Sequence, residues 1–115
     1  MKIKTDFVTN SSSTAFIITN ISDETKTIED FAKENSHLLD EFLATYNCYS
    51  EENGFTQEKL LESARNENII FKKGEQKYCI FGDEDGTIIG DVYDYMLRDG
   101  GSSESFTWRF CEYLR

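Results

Sequence analysis

Positive charge is scarce in this chain: 12 Lys and Arg stand against 22 Asp and Glu, for a formal net charge of −10. Affinity for phosphate backbones comes largely from Lys and Arg displacing counterions, so the composition disfavours direct nucleic-acid binding. A basic protein surface is the natural complement, although a solvated acidic coat that only aids solubility has the same composition. Long apolar runs are lacking too. No stretch approaches the ~18 residues that a membrane span needs, and the N-terminus has no apolar leader core, so a cytoplasmic location is expected. Cysteine is sparse: Cys48, Cys79 and Cys111 lie about thirty residues apart, which suits neither a closed-pair metal site nor an even disulfide framework. Buried, reduced thiols are expected. There is one histidine, His37, and nothing in the pattern brings a serine or a ligand set to it. No catalytic, cofactor-binding or metal-binding residue is assigned, and no cofactor is expected.

Aromatic residues are plentiful by contrast. Nine Phe, six Tyr and one Trp supply bulky core material, and 115 residues suit one domain that buries roughly two-thirds of its unfolded surface. The acidity is uneven. Residues 21–55 hold nine acids against two Lys and residues 82–115 hold eight against three Arg, while residues 56–81 hold four acids and five bases. The Lys72, Lys73 and Lys77 cluster is the one basic spot, too small for a nucleic-acid footprint.

Apolar periodicity sets out the elements. Residues 1–9 and 14–20 read as two strands of a hairpin around an Asn10-to-Ser13 turn. Thr27-Ile28-Glu29-Asp30 reads as a capped helix start. Ile28, Phe31, Ala32, Leu38, Leu39, Phe42, Leu43 and Tyr46 then follow a period near 3.6, predicting a helix over about 28–46 with a break at Asn35-Ser36. Its outer face carries Glu29, Asp30, Glu34, Asp40 and Glu41, the chief candidates for contact with a basic partner. Residues 46–55 read as a loop whose Tyr49 and Phe55 either fold back on the core or serve as candidate aromatic anchors for a partner. Thr56 should cap a short helix bearing Leu60, Leu61 and Ala64. A second hairpin is expected from 68–72 and 76–81 around Lys73-Gly74-Glu75. Ile89, Val92, Tyr93, Met96 and Leu97 predict a helix over about 88–98, from which Asp91, Asp94 and Asp99 extend the acidic surface. Residues 105–114 alternate, with Phe106, Trp108 and Phe110 on one face and Thr107, Arg109, Cys111 and Tyr113 on the other, as in a central closing strand.

Two resemblances bear on function. Phe7-Val8-Thr9-Asn10-Ser11-Ser12-Ser13, following Lys2 and Lys4 and preceding Phe16 and Ile17, resembles the opening of a group of uncharacterised small proteins from bacteria, archaea and phages. That likeness covers about the first 18 residues, implies a microbial or phage source, and carries over no activity and no functional residue. Asp83-Glu84-Asp85-Gly86-Thr87 resembles the Asp-x-Asp-Gly-Thr signature of haloacid-dehalogenase-like phosphotransferases, in which the residue matched by Asp83 is the nucleophile and that matched by Asp85 the acid/base. Only 28 residues follow Thr87, too few for that family's later strands, and the calcium-loop register fails at Phe81 and Val92. A strand-to-helix turn capped by Asp85 or Thr87 is expected instead.

The element order predicts a single α+β domain spanning 1–115, with a mainly antiparallel sheet of about five strands and helices on one face. The leading functional expectation is a small acidic inhibitor occupying a basic, nucleic-acid-binding surface of a partner protein, by analogy with anti-CRISPR proteins and other phage antagonists, and not an enzyme. The contact residues would be Glu29, Asp30, Glu34, Asp40, Glu41, Tyr49, Phe55, Asp91 and Asp94. Alternatives are an immunity or antitoxin-like protein that neutralises a basic nuclease, and a small enzyme using carboxylates.

Overall fold

A computed structural model that describes residues 13–46, 54–82 and 87–114 has ten elements among them, two of which, at 26–27 and 101–102, have no signal in the sequence. The chain runs β1 (Ser13–Asn20), β2 (Lys26–Thr27), α1 (Ile28–Glu34), α2 (His37–Thr45), α3 (Gln57–Glu67), β3 (Ile70–Phe71), β4 (Gln76–Gly82), α4 (Ile88–Met96), β5 (Gly101–Ser102) and β6 (Phe106–Leu114). A four-stranded antiparallel sheet has the order β4-β1-β6-β5, and β2 pairs with β3 in a separate two-stranded ribbon. The α+β class and the antiparallel sheet are therefore as expected, with four strands in the main sheet.

Helix starts obey their caps. Thr27 accepts from the Asp30 N–H while Asp30 accepts from the Thr27 N–H, Thr56 accepts from the Lys59 N–H, and Thr87 accepts from the Gly90 N–H. The break between α1 and α2 has a local cause. Asn35, almost fully buried, turns its amide back to the Phe31 carbonyl at 3.1 Å and across to the Ser103 hydroxyl at 3.3 Å, so its side chain competes with the helical ladder. Asn68, with φ 57, closes α3 in the left-handed region that Asn tolerates.

Strand pairing corrects several expectations. β1 lies inside the sheet, bonded to β4 on one edge and β6 on the other. Residues 1–9 and the Asn10-to-Ser12 part of the expected hairpin turn lie outside the described residues. The turn at Lys73-Gly74 forms, with Glu75 N–H donating to the Lys72 carbonyl, but its two strands diverge: β3 joins β2 and β4 joins β1. Asn20 makes that divergence possible. Its buried amide donates to the carbonyls of Glu24, Phe71 and Lys72, tying the end of β1 to the ribbon where no ladder runs. Among the described residues β6 is flanked outwardly by the two-residue β5 alone, and its register against β1 shifts at Cys111. That bulge rotates Tyr113 out of the face of Arg109 and pairs it with Thr14. Cys111 is exposed and Cys79 buried, so the expectation of buried thiols fails for Cys111 and holds for Cys79, whose thiol is pushed up to about 12 by desolvation. Cys48 lies outside the described residues.

One apolar cluster lies between the helices and the sheet face bearing Phe16, Ile18, Phe81, Phe106 and Trp108. The opposite sheet face exposes Tyr78 and Ile80. Phe31 of α1 sits at the hub, meeting Tyr93 at 5.4 Å, Phe106 at 5.2 Å and Trp108 at 5.1 Å, each edge-to-face. Gly90 lets α4 close onto β4, since a Cβ there would stand 2.5 Å from the Gly82 carbonyl oxygen. Truncating the hub in Phe31→Ala should cost ~3–5 kcal/mol of unfolding free energy, read by urea denaturation. A loss below ~1 kcal/mol would show that the ring is not the keystone drawn here.

Candidate acidic and aromatic groove

The acids of the chain divide into those the fold consumes and those it leaves outside. Glu29 takes a two-pronged hydrogen bond from Arg65 of α3, at 2.8 and 3.3 Å, with Lys33 at 3.9 Å. The hydrogen bond from Arg65 holds its carboxyl below the usual range. Asp30 is the reciprocal member of the α1 capping box. Glu34 accepts the Ser105 N–H at 2.6 Å and so clamps the loop before β6. Partial burial pushes its carboxyl up, but hydrogen bonds from Ser103 and Ser105 and the charge of Lys26 outweigh it, and the net shift is downward.

Asp94 corrects the sequence reading most sharply. It is wholly buried, accepts from the Thr14 hydroxyl at 2.6 Å, and pairs with Arg98 at 3.0 Å, so it is no surface contact. The guanidinium of Arg98 lies 4.7 Å from the Tyr95 ring centroid and 5.2 Å from that of Tyr113. The misreading has a simple cause: an i, i+3, i+4 stripe marks only the widest apolar face, and Asp94 faces Thr14 at the sheet end of α4, which no local pattern reveals. Phe55 is likewise buried, its ring stacked on Phe42 at 6.0 Å, and is a core residue, not an exposed anchor. Asp91 is half-buried in the first turn of α4, at the opposite end of that helix from Asp99. Tyr49 lies outside the described residues.

Asp40, Glu41 and Asp99 remain exposed, and among the described residues none of them has an ion pair. Two of them meet across a groove. His37 and Glu41, one turn apart on α2, form one rim, and Asp99, in the turn leaving α4, forms the other. The rings of Tyr46 and Tyr95, 5.0 Å apart, and the indole of Trp108 line the cavity between, whose volume is about 470 Å³. Gly100, with φ 73, permits the reversal that sets Asp99 beside this wall, and Gly101 lies flat on Trp108, where a Cβ would come within 2.7 Å of the indole. Sequence reasoning named Glu41 and Asp99 as acids of two separate helices. Their juxtaposition across Trp108 has no signal in the spacing, because it depends on how α2 and α4 pack.

No family model, no curated protein and no solved structure matches this chain. Among the described residues no group of three or more His, Cys, Asp or Glu is placed to hold a metal ion, and no helix is long and apolar enough to cross a membrane. The Asp83-to-Gly86 segment lies outside the described residues, and Thr87 is the cap of α4.

Removing the buried carboxylate in Asp94→Ala leaves the Thr14 hydroxyl without its acceptor and Arg98 without its counter-ion. The cost should be ~2–4 kcal/mol in chemical denaturation, and a neutral result would contradict a structural role. For Glu34, the folded-state pKa lies below the ordinary 4.5, so its stabilisation is complete above that value and drains away as pH falls through the folded pKa. Between about pH 6 and about pH 3, Glu34→Gln should therefore lose less stability than the unsubstituted protein. Parallel pH profiles would show that the clamp on Ser105 does not depend on the charge.

Proposed function

We propose that this protein is a small acidic binder of a partner protein, which it inhibits by occupying a basic surface that otherwise holds nucleic acid. The observation that carries the reading is the division of the acids. Glu29, Asp30, Glu34 and Asp94 are satisfied within the fold, whereas Asp40, Glu41 and Asp99 stand exposed and without ion pairs among the described residues, Glu41 and Asp99 on the two rims of one groove and Asp40 beside it on α2. Carboxylates free of internal partners keep their field for a partner, steer its approach, and repel phosphate. The net charge of −10 acts in the same direction over a longer range. A surface selected to attract phosphates attracts carboxylates by the same Coulombic term, which is why occupancy of such a surface and exclusion of nucleic acid go together.

The contact face in this proposal is narrower than the whole acidic coat. It comprises the exposed side of α2 and the turn between α4 and β5, with Asp40, Glu41 and Asp99 as its charges. Reversal of Glu34 is a poor probe of it, since a lysine there would remove the acceptor of the Ser105 N–H.

Asp40→Lys with Glu41→Lys should leave the melting temperature within about 3 °C, because exposed unpaired charges contribute little to stability. Partner capture from cells that carry the gene, followed by mass spectrometry and a binding assay on the recovered protein, should show affinity reduced about tenfold or more in the double reversal. The loss should lie mostly in slower association, and binding of the unsubstituted protein should weaken as salt rises. Unchanged affinity together with salt-independent binding, or capture of nucleic acid with no protein, would defeat the proposal.

A further inference from the structure

We infer that the groove between α2 and the α4–β5 turn seats a single arginine side chain of the basic partner. This inference rests on the reading of the acidic face as a contact surface, and names what its centre recognises. Glu41 and Asp99 supply opposite charge on two rims, and Tyr46, Tyr95 and Trp108 supply aromatic walls. Among the described residues no Lys or Arg lines the cavity, so its carboxylates are not neutralised from within. The volume of about 470 Å³ falls in the ~300–1,000 Å³ range of small-molecule sites and is ample for one guanidinium side chain.

The same molecule already contains the chemistry in a satisfied form. Arg98 bonds to the carboxylate of Asp94 at 3.0 Å while its guanidinium lies against Tyr95 and Tyr113. The groove shares the Tyr95 ring with that pair and adds Glu41, Asp99, Tyr46 and Trp108, with no Lys or Arg among its described lining residues. A guanidinium suits it better than an ammonium, being planar, weakly hydrated and able to stack on a ring while its edge meets a carboxylate. Trp108 adds an independent observation. The residue is only 7 % exposed, it lines the cavity, and among the described residues its Nε1 has no hydrogen-bond acceptor. Buried donors rarely stay orphaned, and a main-chain carbonyl beside the inserted arginine is an acceptor of the kind this position lacks.

Trp108 is the only tryptophan in the chain, so tryptophan emission reports on this one position, shared by the groove and the Phe31 hub. N-acetyl-arginine methylamide should change that emission saturably and shift the backbone amide resonances of residues 37–46 and 95–102. The lysine analogue should bind more weakly, and the citrulline analogue, isosteric but neutral, at least about fivefold more weakly. Glu41→Gln with Asp99→Asn, both exposed, should abolish the saturable response while leaving the melting curve in place. No saturable change with the arginine probe, an equal response to citrulline, or full binding by the double variant would overturn the inference. The two readings fail separately. If partner binding falls on reversal of Asp40 and Glu41 while the arginine probe leaves Trp108 unmoved, the acidic face stands and the arginine seat does not. If the probe binds and the reversal leaves partner affinity untouched, the inhibitor reading falls, and with it the assignment of this arginine to a partner protein.

Discussion

The edge-to-face packing of Phe31 against Tyr93, Phe106 and Trp108 is the contact on which the rest of this structure depends. It joins α1 to α4 and to β6 through one ring, in a fold whose helices cover only one face of the sheet. Aromatic pairs of this kind add to the burial of their area and restrict orientation, so the hub fixes angles as well as distances. Everything at the groove inherits that geometry. α2 leaves α1 through Asn35, which is bonded to Phe31 on one side and Ser103 on the other, and Trp108 is both a partner of Phe31 and a wall of the cavity.

Around this hub the acidic residues perform unlike tasks that composition cannot distinguish. Asp30 caps a helix, Glu29 joins α1 to α3, Glu34 holds the loop before β6, and Asp94 anchors α4 to the first strand. Each removes a carboxylate from the surface field by giving it a donor. Among the acids left exposed, Glu41 and Asp99 face one another where α2 and the α4–β5 turn approach, and there they are accompanied by aromatic rings. Charge beside unsaturated aromatic surface is the composition of a protein interface core and rim, whereas charge alone is that of a solvated coat. That contrast is the physical basis for preferring a binding role for this face over simple solubility.

Much of the architecture was legible in local patterns. The capping box at Thr27, the cap at Thr56, the stripe from Ile89 to Leu97 and the break at Asn35 all formed where the residues indicated, because each depends on neighbours within one or two turns. Strand partners were less legible. The Lys73-Gly74 turn formed, yet its strands went to different sheets, because Asn20 satisfies the ribbon's carbonyls from a distance of some fifty residues. The alternation in β6 was read correctly up to Phe110 and then lost, since the bulge at Cys111 adds one residue and moves Tyr113 to the other face.

By itself the sequence determined the α+β class, the antiparallel sheet, most helix boundaries and the net charge of −10, all properties of composition or of contacts close along the chain. Tertiary structure decided which acids are spent and which are free. Asp94 reads as a surface residue until Thr14, eighty positions away, is placed against it, and Phe55 stands open between core and anchor until Phe42 covers it. The meeting of Glu41, Asp99 and Trp108 is of the same kind. Burial and ion pairing are properties of neighbours in space, and a charge acquires its role only when packing has settled what lies within a few ångströms of it.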